Sequence, residues 1–156
     1  MENEGLTPNV GAVLVFAAGT KIGALPVRHV LETMRPLPID PLPGSAPFVD
    51  GLAMIRGQAV PVLNVAALLS GAPDAAINRF VTLRVGDRTV ALAVSNVLGV
   101  AQSGSLNLTG VPPLLDGRVA QAVESIGRLD SQLLLVLNEA SLVPPEAWAD
   151  SAGAAA

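Results

Sequence analysis

Apolar and polar positions trade places in short steps along this chain. The first long example, "VLVFAAGTKIGALPVRHVLET" (Val13–Thr33), reads as an apolar strand, the polar Gly-containing turn "AGTK", a second strand and a V-x-x-V-L step. A second copy of that order lies 67 residues on, in "FVTLRVGDRTVALAVSNVLGV" (Phe80–Val100), where Gly19 meets Gly86, Ala24 meets Ala91, Leu25 meets Leu92, Val27 meets Val94, Val30 meets Val97 and Leu31 meets Leu98. The later "IRGQAVPVLN" (Ile55–Asn64) is echoed 74 residues on by "LDSQLLLVLN" (Leu129–Asn138), so the second half carries an insertion of seven residues. No long helical period separates these runs. The pattern predicts an all-β chain of short antiparallel strands closed into two similar small barrels or sandwiches, the product of an internal duplication.

Helices are expected to be minor. In "NVAALLSG" Asn64 is placed to cap a short helix and Gly71 to stop it, and in "NEASLVP" Asn138 and Pro144 take the same places. The stretch "PLPIDPLPG" (Pro36–Gly44) holds four prolines and predicts a stiff extended crossover, the other reading being a P-x-x-P ligand, Pro38–Pro41. Ala101–Val119 is Gly- and Pro-punctuated and is expected to be a mobile loop. The chain is expected to form one unit over residues 13–143, with subdomains at about 13–70 and 79–143 between which strands are open to exchange, and with flexible termini at 1–12 and 149–156, the "SAGAAA" tail among them.

Composition narrows the core. Hydrophobic residues make up 51% of the 156 residues but aromatics only 3%, with no Tyr, so Ala, Val, Leu and Ile must fill the interior, and Val-rich runs suit strands. No run reaches the roughly 18 to 20 apolar residues that span a bilayer, and "MENEGLTPNV" lacks the basic and apolar parts of a signal peptide, so a cytoplasmic protein without membrane insertion is expected. A net charge of −4, from nine basic and thirteen acidic residues, offers a phosphate backbone nothing collective to bind and excludes nucleic acid as the expected partner.

Catalytic sets are missing. There is no cysteine, and the single histidine, His29, reads as a partly exposed strand residue within "PVRHVLE". No G-x-S-x-G elbow or phosphate loop is present, and Glu124 and Asp130 read as solvated hairpin charges rather than an acid–base pair. No enzyme, metal or cofactor is expected. The positions that stand out suit a partner surface: Arg56 at a hairpin turn, Glu32 placed to pair with it across the first barrel, Val27, Val30, Met34 and Phe48 along the same segment, and Val97 and Val100 in the matching part of the second half. Core packing is the competing reading for each apolar member.

The run "ALPVRHVLETM", followed by "PLPGSAPFVDGLAMIRGQAVPVLNVAALLSG", resembles the CheW-like domain of chemotaxis coupling proteins over Ala24–Leu69, and "VALAVSNVLGVAQ" and "VESIGRLDSQLLLVLNEASLV" extend the resemblance across nearly all of Val13–Val143. It implies two SH3-like five-stranded barrels and a non-catalytic adaptor. One barrel would dock on the regulatory domain of a CheA-type histidine kinase, and a groove between the barrels would take the cytoplasmic hairpin tip of a methyl-accepting chemoreceptor, at membrane-associated arrays. Glu32 and Arg56 fall on the family's glutamate and N-L-R-G arginine. Pro43, Phe48, Gly51, Gly57 and Pro61 fall on its turn and strand positions. Departures are Gly23 for an aromatic, Met54-Ile55 for N-L, Asn64-Val65 for D-L and Ser95 for an acidic residue. Two alternatives are a pilus-type or other non-flagellar array, and a small-molecule-binding barrel in which Gly23 opens a cavity.

Overall fold

Four hairpins close on two residues each: Gly19-Thr20, Arg56-Gly57, Gly86-Asp87 and Asp130-Ser131. The first residue of every one is left-handed, with φ of 61°, 51°, 62° and 56° in that order, the geometry whose twist matches the flanking strands. The computed structural model describes residues 10–111 and 121–142, and in it these turns join β1 (Ala12–Ala18) to β2 (Lys21–Pro26), β4 (Val49–Ile55) to β5 (Gln58–Asn64), β6 (Arg79–Val85) to β7 (Arg88–Val94) and β9 (Val123–Leu129) to β10 (Gln132–Leu137). Two further strands, β3 (Val30–Met34) and β8 (Asn96–Gln102), come after the first and third hairpins.

The ten strands form two five-stranded sheets, one ordered β8-β1-β2-β10-β9 and the other β3-β6-β7-β5-β4. Under the duplication β1 corresponds to β6, β2 to β7, β3 to β8, β4 to β9 and β5 to β10, so the two orders are the same order. The contiguous ranges 13–70 and 79–143 are not the two sheets. The chain leaves the first sheet through a 3-10 turn at Val27–His29 and returns from the second at Ser95, so each half donates strands to both sheets. This exchange requires one parallel ladder per sheet, β2 with β10 and β5 with β7, beside the antiparallel pairings that the sequence pattern predicts.

The duplication extends to irregularities. Val30 pairs with Leu83 and Glu32 with Thr82, which leaves Leu31 as an extra residue, while Val97 pairs with Phe16 and Gly99 with Val15, which leaves Leu98. In the same way Asp50 is the extra residue of β4 and Glu124 that of β9. Isolated bridges Asp40–Leu52 and Thr109–Ile126 fasten the two crossovers to β4 and β9.

Alternation divides each inner strand between two cores. Val13 and Val15 of β1 join Ile22, Ala24, Leu106, Leu108, Leu134 and Val136 inside the first sheet, and Ala53, Ile55, Val60, Val62, Phe80, Ala91 and Ala93 fill the second. The opposite faces, with Leu14, Phe16, Leu25, Leu63, Leu83, Leu92 and Leu137, meet in the largest cluster, which binds the sheets together. Strands buried on both faces read as continuous apolar runs, which is why "AVLVFAA" shows no polar face.

α1 (Val65–Ser70) begins and ends where the sequence places it. Asn64 Oδ1 accepts from the Ala67 amide at 3.1 Å, and Gly71 is left-handed at φ 66°. Asn138 accepts from the Ala140 amide at 3.2 Å above a 3-10 turn, Glu139–Ser141. Pro144 lies outside the described residues.

Several expectations give way. The space above Gly23 is no cavity: a Cβ there would stand 2.5 Å from Phe16 Cζ, and the Phe16 ring is fully buried. His29 belongs to the 3-10 turn rather than a strand, and its Nε2 stands 3.3 Å from Glu139 Oε2. Residues 101–111 are held in place, with Leu106 and Leu108 in a core and Thr109 bridged to Ile126, while the rest of that stretch lies outside the described residues. Val10 is buried and Ala12 opens β1, so the N-terminal segment is fixed from residue 10. Residues 1–9 and 149–156 are not described.

Candidate partner interface

β3 and β4 are the two edges of the second sheet, and the Glu32–Arg56 pair spans them. Arg56 Nε donates to Glu32 Oε2 at 2.7 Å and Arg56 Nη2 donates to Oε1 at 2.8 Å, a fork-on-carboxylate contact. The bulge at Leu31 sets the position of Glu32, whose carbonyl also accepts from Thr82 Oγ1 at 3.2 Å. Hydrogen bonding from Arg56 holds the Glu32 carboxyl below the ordinary range for glutamate, and the same contact raises the guanidinium further. The Arg56 side chain remains 76% exposed, so the guanidinium offers donors outward while its orientation is fixed.

Arg56 occupies an uncommon backbone position for its type. With φ 51° at Arg56 and φ 79° at Gly57 the turn has the type I′ pattern, which Asn-Gly or Asp-Gly fits best. The second-half counterpart uses Asp130 in this conformation, and the counterpart of Glu32 is Gly99. The ion pair therefore belongs to the second sheet alone, an asymmetry laid over a duplicated fold.

The apolar residues expected beside the pair are divided by the structure. Val27 and Val100 are exposed. Val30 and Val97 are half-buried and pack against the central core, so they do not face outward. Met34 is half-buried against the core of the second sheet. Phe48 is buried at 8% exposure and packs in the central core, where the chain entering β4 turns inward. These corrections share a cause: strict alternation through V-x-x-V-L would turn the valines out, whereas the bulge inserts one residue and turns the next leucine out instead.

Those leucines are the residues that sequence reasoning missed. Leu31 is 51% exposed and Leu98 is 52% exposed, at equivalent bulges. Met54, at 63%, and Leu133, at 55%, are exposed on the hairpins. One signal was present, because Leu31 and Leu98 match across the repeat and each adjoins a core valine.

One acidic neighbour behaves differently from Glu32. Burial pushes the Asp50 carboxyl above its ordinary value, and a hydrogen bond from Asn64 partly opposes this. Asn64 is itself buried, and its amide nitrogen donates to the Pro73 carbonyl at 3.1 Å. The Pro-rich crossover has its backbone committed as well, since the Asp40 amide donates to Leu52 O at 2.8 Å and the Leu52 amide to Asp40 O at 2.9 Å. That pairing serves the crossover reading of the four prolines rather than the ligand reading. No helix among the described residues is long and apolar enough to cross a membrane.

Comparison with known proteins agrees with this arrangement. A family model described as the CheW-like domain matches residues 12–146. A chemotaxis protein CheW of Thermotoga maritima is 30% identical over 120 residues, covering 75% of this chain and 80% of that protein. A chemotaxis protein CheW of Treponema pallidum is 22% identical over 134 residues, covering 81% and 78%. Among solved structures the chain is similar to the scaffolding protein TtCheW from Thermoanaerobacter tengcongensis, with a TM-score of 0.69 at 19% identity over 82% of this chain and 88% of that one. At that identity the likeness speaks for the fold, the pair of SH3-like barrels.

Proposed function

The chain belongs to the family of CheW-like domains, and from that premise we propose that it is a non-catalytic adaptor joining a CheA-type histidine kinase to the cytoplasmic tip of chemoreceptors. The observation that carries this reading is the Glu32–Arg56 pair. Its fork is tied at 2.7 and 2.8 Å, remains open to solvent and is held by a left-handed turn that the fold does not need to fill with Arg. A guanidinium fixed in this way presents directed donors to a partner carboxylate or backbone carbonyl at little further cost in side-chain entropy. Leu31 and Val27 stand exposed beside it and supply apolar contact.

On this reading the partner-binding residues are Arg56, Glu32, Val27, Leu31 and Val100, with Leu98 as the counterpart of Leu31 in the second half. The protein works in the cytoplasm, at receptor arrays on the membrane, without entering the bilayer. The test combines the purified chain, the regulatory domain of the kinase and a receptor hairpin fragment from the same cell. Formation of both binary complexes and of a ternary one is expected. If the chain binds neither protein, the adaptor reading is overturned.

A further inference from the structure

The outer faces of the two equivalent hairpins are shaped and charged differently. On the β4–β5 hairpin Met54 stands opposite Ala59, and a shallow hollow is lined by Asp40, Leu42, Leu52, Ala53, Met54 and Ala59. On the β9–β10 hairpin the equivalent cross-strand pair is Arg128 with Leu133. Small Ala59 is thus replaced by a leucine that is 55% exposed, and the neighbouring charge changes from an exposed aspartate to an exposed arginine. One face is a hollow edged by an anion and the other is an apolar projection beside a cation.

We propose that these faces dock on each other between two copies of this chain, Leu133 of one entering the hollow of the next while Arg128 approaches Asp40. Like-to-like contact is disfavoured in both forms: two hollows leave unfilled space, and two projections bring arginines and leucines against each other. Contact between unlike faces is heterologous, so every copy keeps one free hollow and one free projection, and association continues beyond a dimer into a ring or an open chain. The internal duplication is what puts both halves of the contact on one chain. The contact is small, which places it among weak, concentration-dependent interfaces. It does not rest on the adaptor reading, since neither kinase nor receptor takes part.

Sedimentation of the full chain over a wide concentration range tests this. The weight-average mass of the wild type should rise steadily past that of a dimer. Leu133→Ser, which removes the projection, and Ala59→Gln, which fills the hollow, are exposed or half-buried changes that should each weaken association by about tenfold or more. Each variant alone should remain monomeric. Mixed together they should form a one-to-one heterodimer and nothing larger, because the Leu133→Ser chain keeps a hollow and the Ala59→Gln chain keeps a projection. Asp40→Arg or Arg128→Asp alone should weaken association, and the two in one chain should restore it. The proposal is overturned by a wild type that stays monomeric throughout, by variants that associate as the wild type does, or by a mixture that stays monomeric. It is overturned equally if the hollow takes up the kinase regulatory domain while the chain shows no self-association.

Discussion

Arg56 carries two demands at once, a left-handed backbone and a forked ion pair, and substitutions separate them. Arg56→Gly loses the pair but suits φ 51°, whereas Arg56→Ala loses the pair and keeps the unfavourable backbone. The melting midpoint of the glycine variant is therefore expected above that of the alanine variant, with partner binding weakened in both. Two carboxylates should show opposite pH behaviour. Glu32 is held below its ordinary value, so its contribution is present above that value and is lost as pH falls through the depressed one. Asp50 is raised, so the folded state favours its proton, and its ionisation weakens the fold as pH climbs from the ordinary aspartate value through the raised one. Asp50→Asn should then raise the melting midpoint at neutral pH and bring no gain in acid, while Glu32→Gln should lower it at neutral pH and bring no loss in acid. Melting curves from about pH 3 to about pH 7 check both signs.

The strands are legible in the sequence because turn chemistry and duplication are written locally: "AGTK" and "VGDR" mark hairpins, and Asn64 and Asn138 cap the helical turns at Val65–Ser70 and Glu139–Ser141. The bulges are not legible, since an extra residue in a ladder depends on the partner strand and leaves no local mark; alternation alone points Val30 and Val97 outward for that reason. Their inward packing can be measured. Val30→Asp or Val97→Asp places a charge against the central core and should cost about 3 kcal/mol in a denaturant melt, while Leu31→Asp or Leu98→Asp should change stability little. Gly51 and Gly99 form a second contrast, with φ of 142° and 141°. A Cβ on Gly51 would stand 2.1 Å from Asp40 O, whereas nothing lies within 4 Å of one on Gly99. Gly51→Ala should thus cost about 1 to 3 kcal/mol more than Gly99→Ala, the excess coming from the crossover that must move.

Two sheets of the same strand order, sharing one central core, give the chain two nearly equivalent ends, and partner choice then depends on what breaks the equivalence. The sequence displays the sameness as a repeat at 67 and 74 residues, and it displays Arg56 and Glu32 as a candidate pair. It does not display the exchange of strands between sheets, because that depends on a three-residue turn at Val27–His29 sending the chain across rather than back. Nor does it show that Phe16 occupies the space above Gly23, a contact between neighbouring strands that closes the cavity reading. What distinguishes the second sheet's end is the ion pair, and the claim that this end meets the signalling partners rests on it. The direct measurement is a calorimetric titration of the kinase regulatory domain and of the receptor fragment into wild type, Arg56→Ala and Arg56→Lys, with a denaturant melt of each chain alongside. The account predicts folded chains throughout, affinity reduced by about tenfold or more for Arg56→Ala and partly recovered for Arg56→Lys. Unchanged affinity of Arg56→Ala for both partners would contradict it.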